Sequence, residues 1–374
     1  MERTFTYKIT AEESGKDIRT FLRSRGYSKH ILASMKPIQD AVMVNDIHQY
    51  MSYPLSEGDI LRTKVRDEES SETIVPAPIP FGIIYEDEDI LVIDKPANEA
   101  IHPAISHPAN TLANGVAWYY KEQGIPYVFR CINRLDRDTT GLLITAKNLL
   151  SACVLEQALL ARKIHRTYIA IAEGFVPDSG TIDLPIGRRE GSLIERCVDR
   201  ENGDRAVTHY KTLKRFKAGY SLVELHLETG RTHQIRVHMN AIGHPLLGDT
   251  LYNPSCIRPY FPERKPWNAD LSAAAVDHSA DAADHSADAA DHSATAADIR
   301  EAGSRILPPA NTDISVSGCP SRDPSTCPAS CPGIARQALH SRYLDFIHPI
   351  TREAVHFEAP IPADMARLLA AEEA

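Results

Sequence analysis

Short amphipathic segments open the chain. Residues 17–22 place their apolar side chains on one helical face, and a second helix is predicted over residues 28–35, with a serine as its N-cap. Strand-like runs follow at residues 42–46 and 57–61, each beside a turn signal. Residues 1–66 are therefore predicted to form a small α+β module.

Longer helical and strand-like patterns alternate through the rest of the chain. The strand-like runs at 206–210 and 221–227 alternate apolar with polar residues, as strands of a one-sided antiparallel sheet do. The fold class expected for this part is α+β, with a mixed, mostly antiparallel sheet flanked by helices. The predicted helices cover 111–123, 148–163, 231–242 and 362–374, and the other predicted strands include 82–85, 90–94, 168–172, 180–184, 343–346 and 354–357.

Two polar stretches divide this pattern. Residues 67–80 are first acidic and serine-rich and then proline-rich, which is typical of a linker. Residues 253–333 contain three near-copies of a seven-residue unit in which alanine is the only apolar residue. A period of seven suits a coiled coil, but alanine buries little area, so we predict a low-complexity, disordered insertion. The main domain is then 81–252 together with 334–374.

Charge is unevenly distributed along the chain. The net charge of the 374 residues is −9. Residues 271–335 carry nine acidic and three basic residues, whereas residues 130–238 carry 18 Lys and Arg against 13 Asp and Glu. The main domain is thus locally basic, which permits a phosphate-bearing partner such as RNA.

Bulk properties narrow the class of protein further. No run of 18 apolar residues is present, and the first residues lack the pattern of a signal peptide, so we expect a cytoplasmic protein without a membrane contact. The seven cysteines are scattered and odd in number, which argues against a disulfide framework. Their spacing lacks the short pairs that zinc prefers, so no metal is expected.

The densest charged stretch beside an apolar run lies at residues 133–141. Arg134, Asp136, Arg137 and Asp138 precede a Thr-Thr-Gly turn, and an apolar strand follows directly. Either these acids belong to a solvated turn, or one carboxylate lies in a cleft and is used chemically. The two acids could also form the pair of a glycosidic hydrolase. The local sequence leaves these alternatives open.

Four motifs in this order resemble those of the RluA-type family of RNA pseudouridine synthases. That family shows (H/N)RLDxxT(S/T)G, a lysine followed by YxAxxxG, RTHQIRVH and GHPLxGDxxY. Departures from its pattern are few: Asn133 replaces a commoner His, Thr140 a commoner Ser, and Asn98 a frequent Gly. The resemblance covers about residues 80–252 and 334–365, and its motifs stand at Asn133–Gly141, Lys163–Gly174, Arg231–His238 and Gly243–Tyr252.

The resemblance implies a cofactor-independent isomerase that converts uridine to pseudouridine in structured RNA, either rRNA or tRNA. The target base would be flipped into a pocket. Asp136 is implied as the catalytic carboxylate, Arg236 as its partner, and Tyr168 as the residue that stacks on the base and could remove the last proton. One carboxylate suffices, because cleavage of the base–sugar bond leaves an electron-poor carbon to which it can add, or beside which it can remove a proton.

Further residues are expected to contact the RNA. By resemblance, Arg134 helps to open the RNA around the extruded nucleotide, and Ile235 forms the floor of the pocket. The basic residues Arg162, Lys163 and Arg166 are expected to hold phosphates, although a solvated helix end would have the same composition. The protein is expected to act as a monomer.

The amino-terminal module also has a resemblance. Its order of elements is similar to the S4-like RNA-binding fold in a degenerate form, since the basic residues after the helix-initiating serine are only Lys29 and His30. An unrelated cap is the alternative. For the whole chain, the alternative function is a non-catalytic RNA-binding or ribosome-assembly factor. The intact set of Asp136, Tyr168 and Arg236 favours the enzyme, because a binding protein needs no such carboxylate.

Overall fold

A four-stranded sheet near the amino terminus and a ten-stranded sheet in the main domain organise the chain. The computed structural model describes residues 2–66, 74–103, 109–253, 256 and 333–371. The seven-residue repeats, the first half of the predicted linker and the last three residues of the predicted terminal helix lie outside the described residues.

The amino-terminal module contains both helices predicted for it. The Asp17 carboxylate caps the first helix by accepting the Thr20 N–H at 2.7 Å, and the Ser28 hydroxyl caps the second through the Ile31 N–H. The sheet is antiparallel, in the order β1-β4-β2-β3. The elements are β1 (Glu2–Lys8), α1 (Ile18–Ser24), α2 (Lys29–Met35), β2 (Val42–Val44), β3 (Ile47–His48) and β4 (Ile60–Arg66).

The main domain supplies twelve strands and four helices within the described residues. None of the helices in this part of the chain combines the length and hydropathy needed to cross a membrane. The strands and helices of the main domain are, in chain order, β5 (Gly82–Glu86), β6 (Ile90–Lys95), α3 (Leu112–Glu122), β7 (Arg130–Cys131), β8 (Thr140–Ala146), α4 (Leu149–Leu160), β9 (His165–Glu173), β10 (Ser179–Asp183), β11 (Ile186–Arg188), β12 (Arg196–Val198), β13 (Val207–Phe216), β14 (Tyr220–Leu227), α5 (Gln234–Ala241), β15 (Leu339–Ile347), β16 (Ala354–Glu358) and α6 (Ala363–Ala371).

The large sheet confirms the predicted α+β class with a mixed, mostly antiparallel sheet. Its main path runs β10-β13-β14-β9-β15-β8-β6-β5, while β7 and β16 pair at its sides. Only β15 and β8 are parallel among the described pairs. Strand β15 follows the insertion in sequence, yet it lies at the centre of the sheet between β8 and β9. The end of the chain is therefore needed to join the two halves of the domain.

Helix α5 begins three residues later than predicted. His233 has a left-handed backbone (φ +59°), which helical residues do not adopt. The Gln234 side chain explains the turn, because its carbonyl oxygen accepts the Arg231 N–H at 3.0 Å and its amide donates to the Val207 carbonyl at 2.9 Å. The short hairpin of β11 and β12 was not predicted either, because each strand has only three residues.

The amino-terminal module packs directly on the main domain. Leu150 and Val154 of α4 belong to the hydrophobic core of the module. Arg3 donates two hydrogen bonds of 3.1 Å to the Asp89 carboxylate, which also accepts one from Asn148. A shared core and a bidentate ion pair thus connect residues 2–66 to the main domain.

Candidate active site

The structure brings Asp136 and Arg236 together across 100 residues of sequence. Asp136 lies in the loop between β7 and β8, and Arg236 lies in the first turn of α5. Nη1 of Arg236 donates to Oδ2 of Asp136 at 3.2 Å. The Asp136 side chain is 23% exposed, whereas that of Arg236 is 7% exposed. A buried cation thus faces a carboxylate that is still partly exposed.

Asp249 binds the other edge of the Arg236 guanidinium. Nε and Nη2 of Arg236 donate to its two oxygens at 2.7 and 2.9 Å, which is the bidentate geometry of strong arginine–carboxylate pairs. Burial raises the pKa of Asp249, but the Arg236 charge and its hydrogen bonds outweigh burial and hold that pKa below its usual value. Asp249 lies in the quoted GHPLxGDxxY motif, but no role was predicted for it.

Tyr252 completes the surroundings of the guanidinium. Its ring centroid lies 4.9 Å from Cζ of Arg236, a cation–π distance. Its hydroxyl accepts the Arg196 N–H at 2.8 Å and lies 2.7 Å from Nδ1 of His233. The Arg236 side chain is therefore held by an ion pair below and an aromatic ring beside it, so its orientation toward Asp136 is fixed.

Tyr168 and Ile235 lie on the apolar side of the same site. Both are buried, and they share one hydrophobic cluster with Leu135, the neighbour of Asp136. Burial raises the pKa of Tyr168, and the negative charge of Asp136 adds to the shift, while the positive charge of Arg166 opposes it. The structure therefore places Tyr168 and Ile235 in one apolar cluster beside the loop that carries Asp136.

Comparisons with known proteins agree with this geometry. Residues 89–241 match the sequence family described as RNA pseudouridylate synthase. An RNA pseudouridine synthase of Bacillus subtilis, YjbO, described as uncharacterised, is 33% identical over 95% of this chain and 99% of its own. The chain belongs to the RluA-type family of RNA pseudouridine synthases.

Two further relatives give the breadth of the match. The RNA pseudouridine synthase YlyB of Bacillus subtilis, also described as uncharacterised, is 33% identical, and the alignment covers 96% of each chain. The ribosomal large subunit pseudouridine synthase D of Xanthomonas campestris is 33% identical over 81% of this chain and 72% of its own. This protein is accordingly an RNA pseudouridine synthase, an isomerase, and the binding-only alternative is set aside.

The predicted RNA-binding residues of this pseudouridine synthase have different surroundings. Arg166 lies in β9 two residues before Tyr168, and its positive charge lowers the pKa of that tyrosine. Arg134 is exposed in the loop that carries Asp136. Arg162 forms a surface ion pair with Glu228 at 3.0 Å, and the adjacent Lys163 is exposed. The contacts of all four residues with RNA stay predictions.

Lys95 holds the loop that follows Asp136, a role that the sequence did not indicate. Its Nζ is buried and donates to the carbonyls of Pro96, Glu99 and Arg137 at 2.7, 3.0 and 2.7 Å. Burial lowers its pKa to about 8. The connection back to Glu99 passes through Asn98 in the left-handed region (φ +61°), which explains why a glycine or an asparagine suits this position.

Glu99 is buried beside this lysine and leads to a prediction about pH. Burial raises its pKa from 4.5 to about 7, against the opposing charge of Lys95. The folded state therefore binds more protons than the unfolded state in that interval, and this group makes stability fall as pH rises. Glu99→Gln removes the effect. Relative to wild type, the variant is expected to gain up to about 3 kcal/mol between pH 5 and pH 8.

Thermal or urea unfolding of both proteins at pH 5, 6, 7 and 8 measures this difference. The exposed Glu190 supplies the control, since Glu190→Gln should follow wild type at each pH. A constant difference between Glu99→Gln and wild type across the four pH values would mean that Glu99 is ionised throughout.

In the part of the chain that the structure describes, Asp87, Asp89 and His348 form one cluster of possible metal ligands, apart from Asp136 and Arg236. Nδ1 of His348 accepts the Thr351 N–H at 3.1 Å, so the proton of a neutral ring sits on Nε2, which lies 3.0 Å from Asp87. Arg3 already supplies a cation to Asp89. A protonated nitrogen cannot coordinate a metal, so these residues form the ion-pair network under the amino-terminal module.

Proposed function

We propose that this pseudouridine synthase modifies a uridine in structured RNA of the large ribosomal subunit, and that Asp136 is its catalytic carboxylate. The supporting observation is the chain of contacts Asp136–Arg236–Asp249. Asp249 is fully buried and binds the guanidinium with both oxygens, so Asp136 is the one of these two acids that a substrate can reach. Of the two carboxylate oxygens of Asp136, Arg236 contacts only Oδ2 within the described residues. Oδ1 is therefore left for the substrate.

The reaction requires little beyond that carboxylate. The bond between N1 of uracil and C1′ of ribose breaks, the base turns, and C5 bonds to C1′; C5 then loses its proton while N1 gains one. Asp136 either adds to C1′ or removes a proton from the adjacent ribose carbon, and both routes need it ionised. The Arg236 guanidinium at 3.2 Å from Oδ2 can hold the orientation of this carboxylate. We expect no cofactor.

Tyr168 is proposed to hold the target base rather than to remove its proton. Its raised pKa keeps the hydroxyl protonated at neutral pH, and a phenol is a poor base. The buried ring lies with Ile235 in the apolar cluster next to Leu135, where a planar base can stack. Arg134 is proposed to occupy the space that the flipped nucleotide leaves in the RNA.

The RNA substrate is proposed from the relatives and from charge. The synthase of Xanthomonas campestris is named for the large ribosomal subunit, and the basic balance of residues 130–238 suits an RNA partner. The module at residues 2–66 is proposed to add an RNA-binding surface of the S4-like type, and Arg162, Lys163 and Arg166 to bind phosphates. We expect a monomer that acts in the cytoplasm.

Pseudouridine mapping in RNA from cells with and without the gene tests the proposal. Carbodiimide adducts that stop a primer should disappear at one or more uridines of large-subunit rRNA in the deletion strain. Purified protein should restore them on a transcript of that rRNA. Stops lost in tRNA alone would assign a different RNA, and release of free uracil would indicate a glycosidic hydrolase. Unchanged stops in both RNAs would contradict the proposal.

A further inference from the structure

The segment that re-enters the domain after the insertion lies between the two halves of the pocket. In β15, Ser341 pairs with Tyr168 of β9 on one side and with Gly141 of β8 on the other. Gly141 has φ +104°, and a Cβ atom there would collide with the Ser341 carbonyl oxygen. Residues after the insertion thus set the spacing between β9, which carries Tyr168, and β8, which follows Asp136.

Arg336 lies at the start of this segment and is nearly buried, with its side chain 8% exposed. Nε and Nη2 bind the two oxygens of Asp364 at 2.7 and 2.9 Å. Nη1 donates to the carbonyls of Asp138, Gln337 and Leu339 at 3.1, 3.0 and 3.2 Å. One side chain therefore joins the Asp136 loop, the entry to β15 and the first turn of α6.

Neighbouring contacts hold the same loop. The Gln337 amide donates to the Thr139 hydroxyl at 3.2 Å, and the Thr140 hydroxyl lies 2.9 Å from Nδ1 of His340. Lys95 binds the Arg137 carbonyl from the opposite side. Each of the four residues after Asp136 is therefore anchored, and the anchors of three of them come from residues 336–340.

The segment also supports the turn that carries Asp249. Gly248, with φ +70°, lies against the backbone of Arg336, and a Cβ atom at this position would collide with the Arg336 carbonyl. The Ala338 N–H donates to the Leu247 carbonyl at 2.8 Å. Residues 336–338 thus contact the loop of Asp136 and the turn of Asp249, the two acids that bind Arg236.

We propose that Arg336, oriented by Asp364, is a positioning residue for uridine isomerisation. Arg336 touches none of the side chains of Asp136, Arg236 and Asp249. It acts through the Asp138 carbonyl on the loop that aims the Asp136 carboxylate. The inference rests on the proposed role of Asp136. A carboxylate displaced by about 1 Å loses on the order of 10²-fold in rate even when its charge and its ion pair remain.

Arg336→Met tests this in the full chain, on a transcript of the organism's large-subunit rRNA. The chemical rate under single-turnover conditions is expected to fall 10- to 100-fold per folded molecule, while the dissociation constant for the transcript stays within about twofold. Rates are compared well below the melting temperature of each variant, so a loss of stability alone would not change them. Arg336→Lys, which keeps the charge without the forked geometry, should rescue only in part.

Asp364→Asn provides a second route to the same result and replaces Arg336→Met if that variant does not fold. It keeps Arg336 but removes the charge that orients it, and the double variant should lose no more activity than Arg336→Met alone. Arg342→Met is the matched control, because Arg342 lies six residues further along the same segment, in β15, and its only ion-pair partner among the described residues is Glu358.

Two results would separate the possible failures. If wild type forms no pseudouridine in the transcript, the proposed function fails. If wild type is active and Arg336→Met or Asp364→Asn keeps the wild-type chemical rate, or weakens only RNA binding, the positioning role of Arg336 is wrong.

Discussion

Replacing Asp136 with asparagine is expected to abolish pseudouridine formation, by on the order of 10³-fold or more, without weakening the binding of RNA. Asparagine has nearly the same shape, but it can neither add to an electron-poor carbon nor accept a proton from ribose. Arg236 keeps its bidentate pair with Asp249, so the fold around the site should persist. Single-turnover conversion of the transcript and filter binding of the same RNA measure the two quantities.

Asp138→Asn is the matched control for this variant. Asp138 lies two residues further along the same loop, and no hydrogen bond to its carboxylate occurs within the described residues, whereas its carbonyl is bound by Arg336. That control should remain active. Equal losses in both variants would point to a general effect of charge on the loop, and full turnover by Asp136→Asn would contradict a catalytic role for Asp136.

The fold class could be predicted from the sequence because its signals are local. Alternating strands and capped helices are visible within windows of about ten residues, and α3 begins directly after Thr111, as the pattern predicts. The central position of β15 could not be predicted in this way. Its partners in β8 and β9 lie across the long insertion, and pairing between distant strands leaves no periodic signal in either one.

The candidate site also has contacts that the sequence implied and contacts that it did not. The contact between Asp136 and Arg236 was implied by a resemblance of motifs, since no local pattern connects residues 100 positions apart. Lys95 and Arg336 were missed because they bind main-chain carbonyls. Any residue has such a carbonyl, so the partner sequence carries no mark of the contact.

Asp249 has a detectable signal in retrospect. A buried arginine in RTHQIRVH needs a counterion, and a partly exposed Asp136 bound through one oxygen is insufficient to neutralise it. The available candidate was the acid of the GHPLxGDxxY motif. It follows a glycine, and its carboxylate accepts hydrogen bonds from the N–H groups of the Leu-Tyr pair that comes after it. Pairing the charges of the motifs would have found it.

Asp249→Asn is therefore expected to cost about 3–5 kcal/mol of stability, because it leaves the buried Arg236 charge with Asp136 as its only carboxylate among the described residues. Pseudouridine formation should also be lost, since the guanidinium is then free to turn toward Asp136. The folded-state pKa of Asp249 is lowered, so its contribution is present above the unfolded value of about 3.9 and is lost as pH falls through the folded value.

Urea unfolding of wild type and Asp249→Asn at pH 7 and in steps down to pH 3 measures this contribution. The difference between the two proteins should be largest at pH 7 and should narrow toward pH 3. Asp183→Asn is the control, because Asp183 forms an exposed pair with Arg205 at 3.9 Å, and such pairs contribute about 1 kcal/mol or less. If Asp249→Asn has wild-type stability at pH 7, the burial of the Arg236 charge does not depend on Asp249. Arg236 alone would then fix the position of Asp136.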